Sequence, residues 1–251
     1  MTQTWRLIPL VEATAAAHMA IDRWLLHQHQ QGQLPPVLRF YTWQPAAISL
    51  GYHQRRWPSA WQSLMWQGQA VELVRRPSGG RAVLHGDDLT YALICSGLSG
   101  SRLQVYQQLC QFLMEGFKAL GVPLTLGAAG RGYIHNPSCF ATATGADLVL
   151  AQNPQQKFIG SAQLWSDGAL LQHGSIRLRG EGALYQQAFG EAGQPCPLPL
   201  ELSELPEPLL QQRVIEALVA AAERCFAAQF ETVPLSAAEI EAAKDAFAIA
   251  L

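Results

Sequence analysis

The sequence predicts an α/β or α+β domain, and three observations carry that expectation. A helical apolar stripe opens the chain, short apolar runs bounded by Gly and Pro follow it, and a second helical stripe comes after them. With 251 residues, 49% of them hydrophobic and 14% charged, the chain can bury a substantial core. The formal net charge of -2 excludes the bulk basic field that nonspecific nucleic-acid or membrane binding requires, leaving only a local patch around Arg75, Arg76 and Arg81. The start, MTQTWRLIPLVEATAAA, lacks the basic opening and apolar core of a signal peptide, and no stretch approaches a membrane span, so a cytoplasmic location is expected.

The first helix is expected over Glu12 to Gln31, with Ala16, Ala20, Ile21, Trp24 and Leu25 on one face and Gly32 as its stop. His18, His27 and His29 lie along it. His27 and His29 fall on a glutamine-rich end and share no face, which favours solvated surface over metal binding. After Pro35 and Pro36, Val37 to Trp43 and Ala46 to Leu50 read as strands. Trp57 to Gln67 reads as a short helix ended by Gly68, and Val71 to Arg76 and Leu89 to Cys95 as two more strands.

Ser101 to Leu120 places Leu103, Tyr106, Leu109, Cys110, Leu113 and Phe117 on one helical stripe, ended by Gly121. Gly127 to Asp147 has no usable periodicity. Leu148 to Ala151 and Lys157 to Leu164 follow as strands around a turn at Asn153 and Pro154, and Ala169 to Ile176 follows the turn Asp167, Gly168. The proline-rich stretch from Gln194 to Pro208 is a connector, Leu209 to Phe230 a helix, and Ser236 with Glu239 a capping box that opens the last helix. One unit spanning 1–251, with C-terminal helices from about Leu209, is the expected organisation.

The stretch RRPSGGRAVLHGDDLTY, Arg75 to Tyr91, crowds more polar chemistry into one loop than a turn needs. Gly79 and Gly80 let the backbone approach a ligand, and Arg75, Arg76 and Arg81 add forked donors suited to phosphate or carboxylate. The five cysteines are odd in number and contain no CxxC pair, so neither a disulfide framework nor a zinc site is indicated. Cys95, Cys110 and Cys225 lie in apolar runs and read as inert. Cys139, in NPSCFATATGADL, has polar loop neighbours that suit an ionised nucleophile, although its position alone favours a structural cysteine. Lys157 opens KFIGSAQ, where it could polarise a carbonyl, and His173 sits in LLQHGSI, a setting more typical of a satisfied core histidine than of a base.

Taken in order, RRPSGGRAVLHGDDLTY, SCF, KFIGSAQ and LLQHGSI closely resemble the biotin/lipoate ligase superfamily, and within it the ligase-like octanoyltransferases. The resemblance extends to LRFYTWQPAAISLGYHQ and covers Ile21 to about Leu178. It implies a mixed, largely antiparallel sheet flanked by helices. It also matches Arg76, Gly79, Gly80 and His85 to a substrate-binding loop, with Ser78, Arg81, Gly160, Ser161, Ala162 and His173 grouped alongside them. Lys157 matches the lysine that contacts the acyl carbonyl, and Cys139 the acyl-accepting cysteine. Cys139 precedes Lys157, the order of the ligase-like branch.

The implied reaction moves an octanoyl group from acyl carrier protein to Cys139. From there it passes to a lysine on a lipoyl domain, such as that of the glycine cleavage H protein or a 2-oxoacid dehydrogenase E2, with no cofactor. An ATP-dependent lipoate-protein ligase, with Mg-ATP cradled by the arginines and glycines, and a noncatalytic acyl-binding protein are the alternatives. His85 is followed by Gly86 before the aspartates, so either Asp87 or Asp88 could take the acidic role beside it.

Overall fold

The computed structural model describes residues 3–127, 147–179, 182–190, 193–194 and 198–247. Strand β1 (Gln3–Ala13) leads into α1 (Ala15–Gln30), then β2 (Val37–Trp43) and β3 (Ala47–Leu50). Next come β4 (Met65–Trp66), β5 (Gln69–Ala70), β6 (Glu72–Arg75), β7 (Val83–His85) and β8 (Asp88–Ser96). Helix α2 (Arg102–Ala119) is followed by β9 (Leu124–Leu126), β10 (Asp147–Leu150), β11 (Asn153–Ser166) and β12 (Ala169–Arg177). The remainder is α3 (Ala183–Phe189), α4 (Leu200–Ser203), α5 (Glu207–Phe226), β13 (Ala228–Thr232) and α6 (Ala237–Ala246).

The main sheet has eight strands in the order β13-β1-β2-β8-β12-β11-β10-β9. The pairs β13-β1 and β1-β2 are parallel, and β2-β8, β8-β12, β12-β11, β11-β10 and β10-β9 are antiparallel. The expected mixed, largely antiparallel sheet is therefore present. Strand β8 explains why its sequence is a continuous apolar run. Leu89, Tyr91, Leu93 and Cys95 pack with α2 and α5 on one face, while Ala92 and Ile94 pack with α1 on the other. A strand covered on both faces has no polar phase to its alternation.

Several boundaries differ from the sequence reading, each for a local reason. The helix expected from Glu12 begins at Ala15, because Gln3–Ala13 is a strand and Thr14 caps the helix by accepting from the Ala17 N–H at 3.4 Å. The helix expected over Trp57 to Gln67 is only a 3₁₀ turn at Ser59–Ser63 followed by the β4-β5 hairpin. Gln67 and Gly68 both have positive φ (48° and 78°), so Gly68 serves a two-residue hairpin turn where a helix stop was expected. Asp167 and Gly168 do the same for β11 and β12, as expected. Asn153 and Pro154 belong to β11. Helix α5 stops at Phe226, where Ala227 is left-handed, and Ala228–Thr232 pairs with β1. The capping box of Ser236 and Glu239 is present.

Candidate active site

The central polar stretch is folded back on the rest of the chain by a second, three-stranded sheet, β6-β3-β7, which contains His85. Between β6 and β7 the chain makes a tight loop held by Arg76. Its guanidinium donates to the carbonyls of Ser49, Gly79 and Arg81 at 2.7, 2.8 and 2.7 Å, so Arg76 is 6% exposed and shapes the loop from inside. Gly80 has φ 98°, and Gly51 lies so close that a Cβ there would sit 1.8 Å from the Gly80 carbonyl oxygen. Gly79 faces open space and carries no such constraint.

A cavity of about 60 Å³ lies where this loop meets the main sheet. Gly79 and Gly80 from the loop and Gly160, Ser161 and Ala162 from β11 are its more exposed lining. Met19, Tyr41, Trp43, Val83, His85 and Thr90, all buried, form its depth, with His173 and Gly174 from β12 beside them. Ser161 is oriented by a hydrogen-bond ladder: the Gln172 amide donates to the Tyr91 hydroxyl at 2.9 Å, which reaches Ser161 Oγ at 2.8 Å.

Two serine–histidine–aspartate chains meet at this cavity. In the first, His173 Nδ1 donates to Asp22 Oδ2 at 2.9 Å and its Nε2 faces Ser78 Oγ. With Nδ1 carrying the proton toward the carboxylate, Nε2 of the neutral ring accepts from the Ser78 hydroxyl. Asp22 also accepts from Arg39 Nη1 at 2.9 Å and from the Tyr41 hydroxyl at 3.0 Å, and this buried partnership holds its carboxyl below the usual range against the penalty of burial. Arg39 donates in turn to His18 Nδ1 at 2.9 Å while His18 Nε2 donates to the Thr42 carbonyl at 2.8 Å. His18 is thus neutral, pushed down to about 3 by burial and by Arg39.

In the second chain, His85 Nδ1 donates to Asp88 Oδ2 at 2.8 Å and its Nε2 meets Ser49 Oγ at 2.8 Å, the same serine whose carbonyl holds Arg76. The Trp43 ring stacks on His85 at 3.9 Å, and its Nε1 donates to Thr90, which donates to Asp88. Asp88 is therefore the acidic partner of His85. Asp87 reaches the surface, and loss of part of its solvation to the neighbouring chain, together with Asp88, pushes its carboxyl up.

The remaining candidates separate. Lys157, on the same strand as Gly160, Ser161 and Ala162 of the cavity wall, is 2% exposed and its Nζ lies 2.7 Å from Asp147 Oδ1. Ser78, 1% exposed, turns its hydroxyl to His173, which lines the cavity. Cys139 lies outside the described residues. The chain that carries it joins the described structure at Gly127 and Asp147, where the Gly127 N–H donates to the Asp147 carbonyl at 2.8 Å and Asp147 pairs with Gly160 in the cavity wall. Cys95 and Cys110 are buried thiols pushed up to about 12 by desolvation, which makes them inert as expected. Among the described residues no group of three or more His, Cys, Asp or Glu is arranged to hold a metal.

Sequence reasoning missed Asp22, Arg39, Ser49 and Trp43. Asp22 and His18 stand four apart on the core face of α1, with Met19, Leu25 and Leu26, and Arg39 interrupts the apolar strand VLRFYTW. Charges at core positions are the signal that could have found them. His29, expected in solvent, is half-buried and meets the Leu34 carbonyl and Ser96 Oγ.

Residues 14–227 match the model of the lipoyl protein ligase A/B catalytic domain. The chain belongs to that family. It is 36% identical to octanoyltransferase LipM of Kyrpidia tusciae over 187 residues, 70% of this chain and 66% of that one. It is 35% identical to LipM of Symbiobacterium thermophilum over 188 residues, 71% and 66% of the two chains. The match therefore spans just under two thirds of these curated relatives' length. A lipoate-protein ligase A bound with ATP superposes with a TM-score of 0.72 at 18% identity, covering 98% of this chain and 94% of that one. A bipartite lipoate protein ligase from Thermoplasma acidophilum gives 0.70 at 18% identity, covering 98% and 92%. These superpositions show the shared fold of the lipoyl ligase family. No described helix is long and apolar enough to cross a membrane.

Proposed function

We propose that this protein is an octanoyltransferase of protein lipoylation, a single catalytic unit acting in the cytoplasm without a cofactor. The observation that carries the reading is the mostly apolar cavity whose wall residue Gly160 pairs with Asp147, the first described residue after the stretch bearing Cys139. The identity to octanoyltransferases LipM supports the choice of acyl group.

In this reading the Cys139 thiolate attacks the carbonyl of octanoyl-acyl carrier protein, a thioester to Cys139 forms, and the carrier thiol leaves with a proton. The ε-amine of a lysine on a lipoyl domain then attacks that thioester, the amide forms, and the Cys139 thiol is restored. Glycine cleavage H protein and 2-oxoacid dehydrogenase E2 are the acceptor proteins. The alkyl chain lies against Met19, Tyr41, Trp43 and Val83, while Gly160, Ser161 and Ala162 admit the carbonyl end. Lys157, held by Asp147, supplies positive charge toward the developing oxyanion. Arg76, Ser78, Gly80, Arg81, His85 and His173 act by shaping the loop over the cavity.

Intact mass after incubation with octanoyl-acyl carrier protein, without ATP, tests this. One octanoyl group added to the parent protein and none to Cys139→Ser is the expected result. An adduct or adenylate appearing only with ATP and free lipoate would overturn the transferase in favour of the ligase.

A further inference from the structure

Beside the cavity, and sharing Arg76 and Gly79 with it, runs a groove of about 630 Å³. Its described wall holds no Asp or Glu and five basic side chains: Arg23 from α1, His53, Arg75 and Arg76 around the loop, and Arg102 from the start of α2. Arg23, His53 and Arg102 are exposed. Arg75 donates from Nη1 to the carbonyls of Gly51 and Gln54 at 3.0 and 2.8 Å, neutral acceptors that hold the guanidinium in place and leave its charge uncancelled. No ion pair among the described residues involves Arg23, Arg75 or Arg102. This concentration of charge runs against the sign of the whole chain, which is -2. Two aromatic side chains share the groove: Tyr52, 50% exposed, and Trp165, half-buried. Arg, Tyr and Trp together are the residue types that dominate protein–protein recognition.

We propose that this groove is the docking surface for the acidic face of the protein that carries the acyl group, a proposal that rests on the transferase reading above. The groove is roughly ten times the cavity in volume, far more than an alkyl chain requires, and the two meet at Arg76 and Gly79. A protein carboxylate surface fits better than nucleic acid. Of the groove's arginines only Arg23, whose guanidinium lies over the Phe247 ring at 4.9 Å, and Arg102 are exposed, too few for a phosphate backbone on a chain of net negative charge. Docking by opposed charge speeds encounter and sets register, and it weakens with salt.

The test compares two octanoyl donors, octanoyl-acyl carrier protein and a small uncharged octanoyl thioester of N-acetylcysteamine, on the parent and on the Arg23→Glu, Arg102→Glu double variant. Neither residue belongs to the cavity. The expected result is a loss of about tenfold or more in kcat/KM for the protein donor, with the small thioester within about twofold of the parent. Added salt should shrink the parent's advantage, and the charge-preserving Arg23→Lys, Arg102→Lys variant should recover most of the activity. Equal loss with both donors, or no loss with either, overturns the docking proposal while the parent's transfer leaves the enzymatic reading standing. A parent that transfers from neither donor overturns both.

Discussion

Ser78 and His173, 95 positions apart in the chain, are joined by a buried hydrogen bond, and Asp22 stands on the far side of the same imidazole. The loop that roofs the cavity is thereby fastened to the middle of the main sheet. Ser49 and His85 fasten it a second time through Arg76. Losing one fastening should loosen the roof without emptying the cavity. Ser78→Ala is expected to keep the fold and lower kcat/KM, and His173→Gln, which can still donate to Asp22, should fall between Ser78→Ala and the parent. Asp22→Ala is a different case, because it strands Arg39 as a buried charge, and a loss of about 3–5 kcal/mol in unfolding free energy is expected by chemical denaturation.

Acid should destabilise the protein well before its carboxylates titrate. His18 in the fold takes a proton only near pH 3, whereas in the unfolded chain it does so near its ordinary 6.5. Between these values the unfolded state binds more protons, so stability falls as pH falls, by about 1.4 kcal/mol per pH unit from this residue. Asp22 and Asp88 have folded values below their ordinary ones. Their contribution is present above the unfolded carboxylate range and is lost as pH falls below that range through their lower folded values. Denaturant titrations from pH 7 to pH 4 should show a slope that His18→Gln flattens, and an unchanged slope in that variant would exclude His18 as its source.

Met19 lies in the depth of the cavity, 1% exposed, and its flexible thioether is the deep lining most easily altered without touching the two histidines. Met19→Ala should move the preferred acyl chain longer by about two or three carbons, each newly buried methylene contributing about 0.8 kcal/mol, or roughly fourfold in kcat/KM. Met19→Phe should move it shorter. Transfer rates across a hexanoyl-to-dodecanoyl series measure this, and profiles parallel to the parent would mean the chain does not reach Met19.

Gly51→Ala tests the loop directly. A Cβ at 1.8 Å from the Gly80 carbonyl oxygen cannot be accommodated, so the loop must shift. About 1–3 kcal/mol of stability should be lost with most of the transfer activity, read by thermal melting and by a single-turnover assay. Gly79→Ala, which meets nothing within 4 Å, is the matched control and should be far milder.

Much of this architecture was legible in the sequence because its signals are local. The Val37–Trp43 strand, the Asp167, Gly168 hairpin and the caps at Ser101 and Ser236 each depend on residues within a few positions of one another. Strand β1 was not legible, since Gln3 to Leu7 pairs in parallel with residues more than two hundred positions away and the strand's other edge pairs with β2 across the whole of α1. The site divided in the same way. Its glycines, His85 and His173 stood out in short motifs, whereas the roles of Arg76 and Ser78 did not, since residue type suggests a ligand contact and the fold turns both inward. Asp22 was hidden by distance: nothing near it in the chain announces His173.

Strand β1 and the β13-α6 segment both lie outside the residues that match the family model, yet they complete one edge of the sheet together, and Arg6 clasps Glu239 at 2.6 Å across it. On the ribosome β1 can pair with β2 early but keeps its other edge bare until residues 228–232 emerge, after every residue of the cavity has been made. An open strand edge is what invites association between nascent chains. The growing polypeptide therefore carries a sticky border until residues 228–232 are translated and seal it.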